Sequence, residues 1–120
     1  MSNNAASTGN TASSDAVESN TSALICNLSA IDAAERADHL NRARYLLSTA
    51  ALERRELPNG YAFQFKAEEY ALVVKLIDNE RRCCPFWTFT LFIPAGNEPL
   101  WLHITGEPGA KEVLRSELNF

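Results

Sequence analysis

The sequence predicts a two-layer α+β sandwich, and three observations carry that expectation. Stretches with apolar residues at helical spacing alternate with short stretches of period two. The period-two stretches form two pairs, each joined by a turn rich in Pro, Asn and Gly. Neither helical stretch before the last pair contains Gly or Pro. The expected order is α-β-β-α-β-β-α, with two hairpins building one four-stranded antiparallel sheet and helices covering one face.

The 120 residues suit one domain. Residues 1–23, Met1 to Ala23, are nearly all Ser, Asn, Thr, Ala and Gly. They lack the apolar content that offsets ordering entropy, so they read as a disordered polar tail ahead of a single domain over 24–120. With no basic start and no apolar run, the tail is not expected to be a secretory signal.

Ser29-Ala-Ile-Asp32 has the form of a helix start, a hydroxyl followed three residues on by an acid. The helix is expected from Ala33 to about Ala51, with Ala33, Ala37, Leu40, Ala43 or Arg44, and Leu47 on its apolar face. His39 then falls on the polar, solvated side. Leu52 to Leu57 is charged and reads as an edge strand. Asn59-Gly60 supplies residues tolerant of positive φ and predicts a tight hairpin turn. In the next strand Tyr61, Phe63 and Phe65 alternate, which places the aromatic rings on one buried face.

Glu68 and Glu69 open a second helix, where the positive end of its dipole favours acids. Leu72, Val73, Leu76 and Ile77 form the core stripe. The same periodicity reaches Glu80 and then Cys83 and Cys84, while Pro85 disfavours helical geometry at Cys84 and ends the run. Phe86 to Ile93 follows as a strand with Trp87, Phe89, Leu91 and Ile93 inward. Residues 94–99 turn the chain, and Leu100, Leu102 and Ile104 point inward on the return, leaving Trp101 and His103 on the other face. Ala110 to Leu118 closes the domain as a short helix.

A net charge of −4 and a pI near 5.1 argue against a nucleic-acid partner, which requires a basic face. Arg54-Arg55 and Arg81-Arg82 are flanked by acids and read as mixed-charge surface. No apolar run approaches the roughly 18 residues a membrane span requires. The odd count of three cysteines, with no export signal, fits free thiols in a reducing cytoplasm better than a disulfide framework. Neighbouring Cys83 and Cys84 make a poor bridge with each other, because their Cα atoms lie only about 3.8 Å apart.

Cysteine is often buried as inert filler, so a small interaction domain with core cysteines is one reading. An adjacent pair extending a core stripe beside Glu80 points instead to a thiol site, with Cys26 as a third sulfur if the loop before the first helix reaches it. Thiolates select soft ions such as Cu(I) and zinc, and by the same softness Hg(II), Cd(II) and As(III). Structural zinc usually takes four ligands at recognisable spacing, a pattern absent here. The carbonyl end of a helix and an ionised Glu80 raise a thiol pKa, whereas Arg81 and Arg82 act against them. A bound cation deprotonates the thiols outright, which favours metal capture over a free-standing nucleophile. Glu80 is the candidate catalytic group, a carboxyl whose burial suits it to move a proton beside a sulfur-bound ligand. His103 reads as an outer-face residue, and Trp87 and Trp101 as packing.

The segments Glu80-Arg-Arg-Cys-Cys-Pro-Phe86, Leu100-Trp-Leu-His-Ile-Thr-Gly106 and Gly109-Ala-Lys-Glu-Val-Leu114 resemble a family of small bacterial proteins with an E-R-x-C-C-P-F motif. The likeness runs from about Cys26 to the C-terminus. It implies a setting of heavy-metal, notably mercury, resistance and a role for the isolated upstream cysteine, which is Cys26 here. The leading expectation is therefore a cytoplasmic thiolate-binding protein for a soft metal or metalloid ion, held by Cys83, Cys84 and Cys26. Its alternative is a thiol-dependent enzyme, a reductase or organomercurial-lyase-like protein using the cysteine pair and Glu80.

Overall fold

A computed structural model describes residues 24–118; the expected polar tail lies outside the described residues. The helical stretch starts as a 3-10 turn at Ala33–Glu35. It becomes α1 (Arg36–Arg44) and ends in a π-helical turn over Tyr45–Ala50. Strands β1 (Glu53–Leu57) and β2 (Gly60–Phe65) follow, then a 3-10 turn at Ala67–Glu69 leading into α2 (Tyr70–Cys83). Strands β3 (Trp87–Phe92) and β4 (Leu100–Gly106) precede the closing helix α3 (Ala110–Leu118). The sheet is antiparallel throughout, ordered β1-β2-β4-β3. The expected α-β-β-α-β-β-α sandwich is the fold found.

Register builds the core. Tyr61 opposes Ile104, which opposes Phe89; Phe63 opposes Leu102, which opposes Leu91. Side chains alternate across a strand, so these residues share the helix-facing side. Tyr61, Phe63, Phe65, Leu100, Leu102 and Ile104 are all buried there. Val73 and Leu76 of α2, Leu46 and Leu47 after α1, and Leu114 of α3 close over them. Strand β1 is exposed along most of its length, as an edge strand should be. It is tied down by Lys111 of α3, whose Nζ lies 2.5 Å from Glu56 Oε2 and 2.8 Å from the Leu57 carbonyl.

Four expectations about the elements change. Leu57 pairs with Gly60, so Pro58 and Asn59 form the two-residue turn and Gly60 begins β2. Gly60 is required for another reason: a Cβ there would sit 2.0 Å from the Ile104 carbonyl oxygen of the neighbouring strand. Strand β3 stops at Phe92, which leaves Ile93 half-exposed in the loop instead of inward. The expected Ser29–Asp32 cap does not form. Asn27 Oδ1 instead accepts from the Ser29 backbone and hydroxyl to cap a 3-10 turn at Leu28–Ala30. Finally, Ala33, Ala37 and Leu40 are exposed, and the buried side of the first helix runs through His39, Leu46 and Leu47. The buried side is the one that carries the bulky Leu46 and Leu47, which remove more apolar surface from water than the alanines of the other row.

The segment before α1 is pinned across the end of α2. The Asn27 N–H donates to the Cys83 carbonyl at 2.6 Å, Arg36 Nε donates to the Ile31 carbonyl at 2.9 Å, and Ile31 is buried. Gly109, at φ +100°, occupies a left-handed conformation that disfavours any side chain, and a Cβ there would also strike Leu24.

Candidate functional site

The expected core stripe of α2 continues to the sulfurs. Val73, Leu76, Asn79 and Cys83 are buried on it, while Leu72 is exposed. The helix ends at Cys83, and Cys84 leaves helical geometry at φ −126°, ψ 77° as its N–H donates to the Glu80 carbonyl at 2.8 Å. Pro85 is the local cause. This break turns the Cys84 side chain toward the segment that Asn27 pins.

There Cys84 forms a disulfide with Cys26, at an S–S distance of 2.06 Å and a Cα–Cα distance of 4.4 Å. The expectation of three free thiols is thus corrected, and with it goes the reasoning from free thiols to a cytoplasmic location. The bridge avoids the strained pairing of adjacent cysteines by reaching 58 residues along the chain. Cys83 remains a free, buried thiol. The sulfurs of Cys26, Cys83 and Cys84 all lie within 4.8 Å of one another. Distant parts of the chain therefore meet in one sulfur cluster, as the metal-ligand reading requires.

The surroundings oppose a lone thiolate. Burial, and after it the carboxylates of Glu80 and Glu117, push the Cys83 thiol up to about 11; a backbone N–H of Asn27 acts weakly against them. Arg81 and Arg82 do not offset this as the sequence suggested. Both are exposed, and Arg82 turns away to Asp78 and to the Asn79 side chain.

Among the described residues Glu80 pairs with a histidine. Its Oε2 lies 2.8 Å from His39 Nε2, and the two side chains are only 12% and 1% exposed. His39, expected on the solvated side of its helix, is instead a buried partner of the candidate catalytic carboxyl. Glu80 Oε1 and His39 Nδ1 are both buried with no hydrogen-bond partner among the described residues. The dyad thus has one spare acceptor on the carboxylate and one spare nitrogen on the ring. Beside it, Glu117 of α3 has its carboxyl raised by burial and then by the Glu80 charge.

His103 lies on the far side of the sheet between Ala62 and Thr90, away from the sulfurs. Trp101 shares that face, stacked under the Arg55 guanidinium at 4.5 Å. Trp87 is packing that also organises the site: its Nε1 donates to the Ala110 carbonyl at 3.2 Å, fixing α3 over β3. Among the described residues no helix is long and apolar enough to cross a membrane. Compared with protein-family models, with curated proteins and with solved structures, the chain has no match.

Proposed function

We propose that the protein captures a thiophilic metal or metalloid ion, of the Hg(II) type, in the three-sulfur pocket once the Cys26–Cys84 bridge is reduced. The observation that carries this reading is the convergence of Cys26, Cys83 and Cys84 sulfurs within 4.8 Å. A dithiol reductant gives up two electrons and becomes a disulfide while Cys26 and Cys84 become thiols. A divalent ion then displaces three protons and leaves a complex of one net negative charge.

The buried setting favours a strongly thiophilic ion. The Cys83 proton is held tightly, at a pKa of about 11, so only an ion with high sulfur affinity displaces it near neutral pH. Hg(II), As(III) and Cu(I) suit a sulfur set with no fourth cysteine better than Zn(II) does. The resemblance to E-R-x-C-C-P-F proteins supports a heavy-metal resistance setting.

Native mass spectrometry of reduced protein with Hg(II), As(III), Cu(I) and Zn(II) tests the reading. Retention of one thiophilic ion per chain, lost in Cys83→Ser/Cys84→Ser, is expected. Equal retention by wild type and double variant would sink it, and would leave the cysteines as core filler.

The Glu80–His39 dyad favours a second, enzymatic reading. A sulfur-bound organometal would lose its carbon group as a hydrocarbon, the proton passing from Glu80 to that carbon while sulfur keeps the metal. Turnover of an organomercurial that disappears in Glu80→Gln while Hg(II) retention survives is the expected signature. Turnover unchanged in Glu80→Gln would remove Glu80 from that role.

A further inference from the structure

A cavity of about 480 Å³ lies between α1, the end of α2 and α3, floored by Trp87 and Ile104 of the sheet. Its size falls within the range of small-molecule sites. Leu47 and Leu114 supply apolar wall, and few polar groups interrupt it: Glu80 and Glu117 from opposite helices, Ser48, and Arg44 at the exposed rim. The sulfur-binding reading uses none of this space.

The carboxylates fix the polarity of what fits. Glu80 lines the cavity, and its Oε1 is buried with no hydrogen-bond partner among the described residues, its other oxygen being held by His39. Leaving such an acceptor unmet is costly, so a donor belongs beside it. Glu117 shares the cavity, and its carboxyl is raised first by burial and then by the Glu80 charge. Two anions facing one apolar space repel each other, and a cation between them relieves both. The Ser48 hydroxyl is already committed to the Arg44 carbonyl.

We propose that this cavity binds a small organic cation, a protonated primary amine on a compact apolar body. The ammonium donates to Glu80 Oε1 and faces Glu117, while the apolar body lies over Trp87 and Ile104 between Leu47 and Leu114. No cysteine lines the cavity, and it is present with the disulfide closed, so its test does not depend on the sulfurs.

The experiment uses the oxidised full chain and benzylamine as probe, with benzyl alcohol and benzoate as shape-matched controls. Binding is followed at neutral pH by the indole N–H resonances of Trp87 and Trp101. Benzylamine is expected to shift Trp87 saturably and leave Trp101, on the far face, unmoved. It should bind about tenfold or more tightly than benzyl alcohol, since a charge-assisted hydrogen bond is lost in the control. Glu80→Gln should weaken benzylamine by about tenfold or more on the same ground. Glu117→Gln, at a residue that lines the cavity but also reaches solvent, should weaken it less and keeps the test available if Glu80→Gln unfolds. The proposal is overturned if benzoate or benzyl alcohol binds as well as benzylamine, if Trp87 shows no saturable shift, or if neither glutamine variant loses affinity.

Discussion

Removing the Cys26–Cys84 bridge should cost the fold a large part of its stability. The bridge closes a loop of 58 residues between α2's end and the segment before α1. Loop-closure entropy for that length amounts to about 4 kcal/mol at room temperature. Domains of this size are stable by roughly 5–15 kcal/mol in total, so the loss is not a small correction. Equilibrium urea unfolding of oxidised wild type and of Cys26→Ser measures it. With a slope of about 2 kcal/mol per molar, the midpoint should fall by about 2 M. Cys83→Ala, which leaves the bridge intact, should cost much less, on the order of 1 kcal/mol. Reduced wild type should match Cys26→Ser, and on the capture reading Hg(II) should stabilise reduced wild type to the extent that the folded three-sulfur set holds it more tightly than the thiols of the unfolded chain. Midpoints of wild type and Cys26→Ser agreeing within error would refute the reasoning, because the bridge would then constrain nothing.

Four further outcomes follow from the same geometry. The oxidised protein should contain one thiol, Cys83, that alkylates very slowly near neutral pH. Its pKa, raised from 9.0 to about 11, makes stability full below pH 9 and falling as pH rises through 11. Urea midpoints measured between pH 8 and 11 check this, and a Cys83→Ala variant should lose that part of the decline. His39→Ala leaves Glu80 without its buried partner and should cost about 1–3 kcal/mol by the same unfolding assay; a loss below about 0.5 kcal/mol would show that the pair does not form. Gly60→Ala should lower the melting temperature strongly, because its Cβ would overlap the Ile104 carbonyl, and Gly106→Ala should lower it too, because its Cβ would overlap the Ala110 Cβ, which cannot swing aside.

The sheet was legible because β2, β3 and β4 alternate strictly, so that one buried face leaves little freedom of register, while charged β1 was placed beside β2 by the turn between them. The end of α2 was legible for the same kind of reason: Pro85 dictates where the helix stops, and seven residues of periodicity carry the core stripe to Cys83. Helix phase was harder. Ala33, Ala37 and Leu40 compose an apolar row as regular as the true one, and alanine gives it little weight. The adjacent Leu46 and Leu47 carried the better signal, since counting back from them by helical steps lands on Ala43 and His39. His39 is buried through its pairing with a carboxylate, a tertiary contact that no local pattern records. The disulfide was missed because it depends on a loop meeting a helix end across 58 residues. Gly60 was read as a turn residue when its role is close strand contact, and both uses leave the same letter in the sequence.

X-ray absorption at the mercury edge, on reduced full-length protein carrying one equivalent of Hg(II), asks most directly whether three sulfurs act as one site. Three sulfur neighbours around the metal in wild type, falling to two in Cys26→Ser, is the expected result. Two sulfur neighbours in both proteins would contradict it, since Cys26 would then stand outside the pocket where the fold places it.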